Sequence, residues 1–254
     1  MNYLEQLFSL RGRTALVTGA RTGLGAAIAA ALAEAGAELV LLGHGGDFAP
    51  VCERIQALGR SATVVEVDLL EPRSVAPAAQ RILAGHRIDI LVNNAGIIRR
   101  APAAEHPLDD FRAVSAVNVE SLFELTRAVA APMLARRAGK IVNIASILSF
   151  QGGTMVSGYT ASKHAVLGLT RAWASEWAPR NVQVNAIAPG YFDTDNTAPL
   201  RADPALYRQT LDRIPAARWG DPPDLAGAAV FLASGASDYV NGHTLVVDGA
   251  LLTR

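Results

Sequence analysis

Thr14-Ala-Leu-Val-Thr-Gly-Ala-Arg-Thr-Gly-Leu-Gly25 is a short apolar run that enters a glycine-rich turn and leaves it as a helix. Gly19 permits a tight turn, Gly23 lets backbone approach a pyrophosphate, and Gly25 lets the helix pack close to the strand. The helix N-terminus then offers unpaired N–H groups and the positive end of its dipole to phosphates. Arg21, Thr22 and Leu24 fill the other positions of the turn and are candidate dinucleotide contacts with the three glycines. The spacing is Thr-Gly-x-x-x-Gly-x-Gly rather than Gly-x-Gly-x-x-Gly. A purely structural turn is the competing reading, and the strand–turn–helix context weighs against it.

Outward from this turn, β-rich runs alternate with helical stretches. Thr14–Val17 is followed by Glu38–Leu42, Ala62–Val67, Ile88–Val92, Lys140–Ile144, Val182–Ala186 and Thr244–Val247. Several are apolar throughout, as expected of strands covered on both faces. Between them lie helical stretches at Leu24–Ala35, Val51–Leu58, Ser74–Leu83, Leu108–Arg136, Tyr159–Trp177 and Pro223–Leu232. The alternation predicts an α/β fold: one doubly wound domain over residues 1–254, its parallel sheet of about seven strands covered by helices on both faces. Residues 190–222 break the pattern with several prolines and mixed charges. Following the carboxyl end of a strand, where ligands bind in such sheets, this segment reads as a substrate lid.

The chain has 254 residues, half of them hydrophobic and 18% charged, which excludes disorder. Lys+Arg and Asp+Glu are 23 each, so no basic excess points to nucleic acid or anionic lipid. No run approaches the roughly 20 apolar residues of a membrane helix, and the N-terminus has no signal-peptide pattern. One cysteine, Cys52, excludes an internal disulfide and fits a reducing compartment. The five histidines form no ligand-spaced cluster, so no metal site is expected. The expectation is a soluble cytoplasmic protein.

Tyr159-Thr-Ala-Ser-Lys163 places two side chains on one helix face, about 6 Å apart along the axis. An ammonium beside a phenol lowers the tyrosine's ordinary value of about 10, which suits it to acid/base work. The pair by itself is also common on exposed helices. Asn93-Asn94-Ala95-Gly96 ends the fourth run, and Ser146 ends the fifth, thirteen residues before Tyr159.

These segments, with the glycine spacing, resemble the short-chain dehydrogenase/reductase family. The resemblance implies a Rossmann-type fold and a nicotinamide-dependent oxidoreductase acting on CH–OH groups, with Asn118, Ser146, Tyr159 and Lys163 as the catalytic set. It implies that Asp68 and Leu69 meet the adenine, although Asp68 also suits a helix cap. Asn94, Ala95 and Gly96 lie along the cofactor. The resemblance also implies that Lys163 binds the nicotinamide ribose, that Pro189, Gly190 and Phe192 lie along the nicotinamide, and that Thr194 bonds its carboxamide or the diphosphate. His44 stands near the adenine ribose or in solvent. No acid follows the second run, and Asp47 reaches the ribose only if the intervening glycines fold back. Arg21 favours a 2′-phosphate or is simply solvated. NAD is the expected cofactor, with NADP the alternative. The family habit implies a homotetramer, with 108–136 and 159–177 as contact faces.

Further strings resemble a branch of the family that acts on keto-deoxy sugar acids of the 2-deoxy-D-gluconate or 2-dehydro-3-deoxy-D-gluconate type. They include Ile97-Ile-Arg-Arg100, Ser149-Phe-Gln-Gly-Gly153, Asp195-Asn196-Thr197 and Arg213-Ile-Pro-Ala-Ala-Arg-Trp-Gly220. Such a substrate needs a carboxylate partner and hydroxyl partners. Arg99, Arg100, Arg201 and Arg218 are candidates for the first, and Gln151 and Asn196 for the second, with Ser146 and Tyr159 at the reacting oxygen. Trp219 suits core or interface better than a sugar platform. Open alternatives are a 3-oxoacyl-carrier-protein or small-polyol substrate, or a nucleotide-binding regulatory protein without turnover.

Overall fold

The apolar runs pair as one parallel sheet in the computed structural model, which describes residues 2–253. Its strands are β1 (Thr14–Thr18), β2 (Glu38–Gly43), β3 (Ala62–Glu66), β4 (Ile90–Asn93), β5 (Gly139–Ile144), β6 (Val182–Pro189) and β7 (Thr244–Val247). They lie in the order β3-β2-β1-β4-β5-β6-β7. The chain leaves β1 towards β2 on one side and returns to β4 on the other. Such a switch opens a crevice beyond the carboxyl ends of the strands.

Both faces of β1, β2, β4, β5 and β6 are buried, which explains strands without polar alternation, while the edge strands β3 and β7 are more exposed. In β1, Leu16 enters one core with Val129, Met133, Val166 and Trp173. Ala15 and Val17 enter the other with Ile28, Leu32 and Leu232. The helices are α1 (Tyr3–Phe8), α2 (Gly23–Glu34), α3 (Ala49–Ala57), α4 (Val75–Gly85), α5 (Leu108–Ser115), α6 (Leu122–Arg136), α7 (Ser157–Trp177), α8 (Ala198–Ala202), α9 (Pro204–Leu211) and α10 (Ala226–Ala233), of which α2, α6, α7 and α10 supply these core residues. No helix among the described residues is long and apolar enough to cross a membrane.

The structure departs from the sequence reading in two elements and adds helices that the sequence did not announce in two others. Leu108–Arg136 is not one helix, because a wide π turn at Ala116–Ser121 separates α5 from α6. The fourth strand starts at Ile90 rather than Ile88, since Asp89 is held outside it by Thr14 N and Arg87 Nε. Residues 190–222 are not plain loop. Asp203 caps α9 there by accepting from Ala205 N and Leu206 N. Helix α1 has no apolar periodicity to announce it, and is started by a capping box between Asn2 and Glu5. Other element ends shift by a few residues.

Candidate active site

The glycine turn folds as a cradle at the end of β1. Gly19 has φ 62°, and a Cβ there would stand 2.9 Å from Ala95 Cα. A Cβ on Gly25 would stand 2.1 Å from Gly19 O. Asn94 ties this turn to the end of β4: its Nδ2 donates to Thr18 O (2.9 Å) and Gly19 O (3.1 Å). The N–H groups of Asn94 and Ala95 donate to Thr18 Oγ1. Thr22 occupies the N-cap of α2, but its hydroxyl does not cap the helix. The first turn of α2 therefore keeps an uncapped, positive end towards the cleft.

Around this cradle runs a cleft of about 540 Å³. It brings together Gly19, Arg21, Thr22, Gly23, Leu24, Gly25, His44, Asp68, Leu69, Asn94, Ala95, Gly96, Ser146, Tyr159, Lys163, Pro189, Gly190, Phe192, Thr194 and Asn196. The glycine cradle, the uncapped helix end and the elongated cleft suit a dinucleotide.

At the far end, Asp68 Oδ1 accepts from Leu70 N (2.9 Å), and Oδ2 lies 3.9 Å from His44 Nε2. Asp47 does not fold back, because its Oδ1 accepts from Ala49 N (2.8 Å) at the start of α3. Arg21 lies against the chain at Gly46, where a Cβ would stand 2.8 Å from Arg21 Nε. The Arg21 guanidinium and the His44 imidazole thus border the end of β2, with the Asp68 carboxylate 3.9 Å from that imidazole.

At the other end, Ser146 is buried at the end of β5, and its Oγ accepts from Leu148 N (3.1 Å). Tyr159 and Lys163 lie one turn apart on α7, with Nζ 5.6 Å from the ring centroid. Nζ donates to Ile144 O at 2.7 Å. Burial pushes the Tyr159 phenol above its ordinary value, opposed by hydrogen bonding to Ser146 and by the Arg100 charge. This reverses the lowering expected from Lys163. Burial dominates the phenol, and the Lys163 ammonium is itself pushed down to about 8 by desolvation.

That depression has a sign in stability. Between pH 8 and the ordinary lysine value of 10.5, the folded protein binds fewer protons at Lys163 than the unfolded chain. Stability therefore rises with pH across that window. The melting temperature of the nucleotide-free protein is expected to rise from pH 7.5 to 9.5 more steeply in wild type than in Lys163→Met. Equal slopes would count against a buried, titrating ammonium.

Asn118 stands behind the cleft rather than in its lining. The π turn aims its amide at the loop after β4: Oδ1 accepts from Ile97 N (2.9 Å), and Nδ2 donates to Ile97 O (3.0 Å) and Ser162 Oγ (3.0 Å). It braces the β4 loop against α7. Gln151 and Arg100 also lie outside the lining. Gln151 Nε2 is buried without a partner among the described residues, and Arg100 Nη2 donates to Asn196 O (3.1 Å).

Three candidate arginines are taken by carboxylates: Arg99 by Asp110, Arg201 by Asp193 and Arg218 by Asp224. Arg100 is the remaining candidate for a carboxylate partner. Trp219 is buried, stacked on Tyr207 at 5.7 Å between centroids. The cleft also takes Gly43, Ile97, Asp195 and Thr197, which were not singled out as ligand contacts. Ile97, Asp195 and Thr197 belong to strings that resemble the sugar-acid branch, and Gly43 is the last residue of β2. No three His, Cys, Asp or Glu side chains among the described residues are grouped to hold a metal ion.

A family model described as enoyl-(acyl carrier protein) reductase matches residues 19–251. The chain belongs to the short-chain dehydrogenase/reductase family. Among members of this family, the 2-dehydro-3-deoxy-D-gluconate 5-dehydrogenase of Bacillus subtilis (strain 168) is 51% identical over 254 residues, covering 100% of both chains. The enzyme of the same name from Escherichia coli (strain K12) is 50% identical, over 97% of this chain and 98% of that one. A solved family member, a gluconate 5-dehydrogenase from Burkholderia cenocepacia J2315 in complex with NADP and tartrate, is 42% identical with a TM-score of 0.95. It covers 99% of this chain and 100% of its own. The seven-stranded parallel sheet matches these neighbours.

Proposed function

We propose that this short-chain dehydrogenase/reductase interconverts a secondary alcohol and a ketone on a keto-deoxy sugar acid of the 2-dehydro-3-deoxy-D-gluconate type, using a nicotinamide dinucleotide. The observation that carries the reading is the convergence of Ser146, Tyr159 and Lys163 on the cleft that holds the glycine cradle. When bound, the dinucleotide supplies or accepts the hydride. The Ser146 hydroxyl holds the substrate oxygen. Tyr159 Oη gives that oxygen a proton in reduction and removes it in oxidation. Lys163 holds the ribose end and supports the phenolate, and Asn118 fixes the loop and helix that carry them.

The sugar-acid substrate is supported by the names of the relatives and by tartrate, a hydroxy acid, in the Burkholderia structure. In this chain Arg100 takes the carboxylate, while Gln151 and Asn196 take hydroxyls. Residues 1–254 act as one catalytic domain with 190–222 as its lid. NAD and NADP both fit the cleft; Arg21 beside Gly46 and Asp47 turned away favour NADP. The assembly is a homotetramer. An apolar groove of about 810 Å³ between α6 and α7, with Phe123, Ala165 and Leu169 in its walls, supports the helix faces as contacts. The place is the cytoplasm, in keeping with the free thiol of Cys52.

The test is a steady-state assay with NADP and NAD, on 2-dehydro-3-deoxy-D-gluconate, D-gluconate, small polyols and a 3-oxoacyl thioester. Turnover on the sugar acids supports the reading; turnover confined to the thioester or polyols removes the substrate assignment. Arg21→Ala is expected to weaken NADP binding by about tenfold or more, the scale of a charge-assisted hydrogen bond, and NAD binding much less. Equal losses for both dinucleotides would refute a 2′-phosphate contact.

A further inference from the structure

The lid is tied to the body of the protein on both sides of the cleft. Thr22 Oγ1 donates to Asp195 Oδ2 at 3.3 Å, and Arg100 Nη2 donates to Asn196 O at 3.1 Å. Between these ties the turn Asp195–Thr197 is braced from within. Thr197 Oγ1 donates its one proton to Phe192 O (2.6 Å), with Thr194 O within reach at 3.0 Å, and accepts from Thr194 N (3.2 Å). The turn therefore moves as a unit.

Both body-side partners are groups that the proposed reaction needs for its ligands. Thr22 starts α2 at the phosphate cradle, and its hydroxyl is drawn to Asp195 instead of capping the helix. Asp195 presents its carboxylate near the positive helix end, where an anion is favoured. The nearby lid cation does not neutralise it, because Arg201 pairs with Asp193. Arg100 is the candidate arginine left for a substrate carboxylate, and a lid carbonyl occupies it.

We propose that Asp195 is a positioning residue that latches the lid to the glycine turn through Thr22, and that a dinucleotide phosphate releases the latch by claiming the same hydroxyl. The inference rests on reading the cleft as a nicotinamide-dinucleotide site. A phosphate arriving at Thr22 breaks the first tie and repels the displaced carboxylate. The second tie, Arg100 to Asn196 O, then yields to the substrate carboxylate.

The contact is exposed, so its effect is modest. Asp195→Ala is expected to bind NADPH about three- to tenfold more tightly than wild type, the scale of one exposed hydrogen bond and one like charge. Binding is read from the fluorescence of the bound nucleotide, without turnover. In a Thr22→Val background, the gain from Asp195→Ala is expected to shrink to the smaller part that comes from removing the like charge. Without nucleotide, trypsin is expected to cut the lid of Asp195→Ala faster at Arg208 and Arg213. Equal NADPH affinity in wild type and Asp195→Ala overturns the latch. So does a gain of undiminished size in the Thr22→Val background, or an unchanged rate of lid cleavage. Failure of every variant and wild type to bind NADPH or NADH would instead overturn the functional reading.

Discussion

Tyr159→Phe is expected to lower turnover in both directions by about 10²–10⁴-fold, the usual contribution of a positioned acid or base. Melting temperature and NADPH affinity are expected to stay close to wild type. The substitution removes only the phenolic oxygen, and the ring that carries the Lys163 contact remains. Burial raises the phenol, so it is protonated at neutral pH and ready to donate in reduction. Oxidation needs the phenolate, so its rate in wild type is expected to rise with pH while reduction falls. Tyr159→Phe should lose both slopes. Near-wild-type turnover in the variant would remove Tyr159 from the chemistry.

Gly25→Ala is expected to abolish nucleotide binding and to cost at least about 1–3 kcal/mol of stability, the range for a methyl forced into packed structure. The added Cβ would stand 2.1 Å from Gly19 O and 2.5 Å from Asn94 Nδ2. Neither neighbour can yield cheaply. The first is backbone in the turn itself, and the second is held by hydrogen bonds to Thr18 O and Gly19 O. Gly227→Ala is the control, since α10 leaves open space at that position. It is expected to be neutral or to stabilise by about 0.5–1 kcal/mol through helix propensity. Chemical denaturation and nucleotide titration of both variants decide the matter. Wild-type binding by Gly25→Ala would mean that the cradle is looser than its contacts indicate.

The sheet was legible because both of its faces are buried. Strands such as Leu39–Leu42 are then apolar at every position, and period-two ambiguity does not arise. The cradle was legible because glycine is the residue that survives a Cβ collision with backbone. The π turn was not. Ala116–Ser121 has ordinary helix composition, and its wide turn comes from Asn118 bonding to Ile97 across the fold. The fate of the arginines was hidden for a related reason. Arg99, Arg201 and Arg218 read like Arg100 in sequence, and only the fold sets carboxylates beside the first three. The direction of the Tyr159 shift was misread because spacing reports a neighbouring charge but not the loss of water around it.

The strand order has a consequence for how the protein is made. β1 is an interior strand of the sheet, with Val17 paired to Leu41 on one side and to Val92 on the other. During synthesis β1 can pair with β2 early, by a short crossover. Its other flank stays open until β4 emerges, and the wall carrying Ser146 waits for β5. Pairings of such long sequence separation form late, because loop-closure entropy must be overcome first. A nascent chain arrested before β4 therefore exposes an apolar strand flank with nothing to cover it. That makes the interval between β2 and β4 the point of greatest demand for chaperone protection.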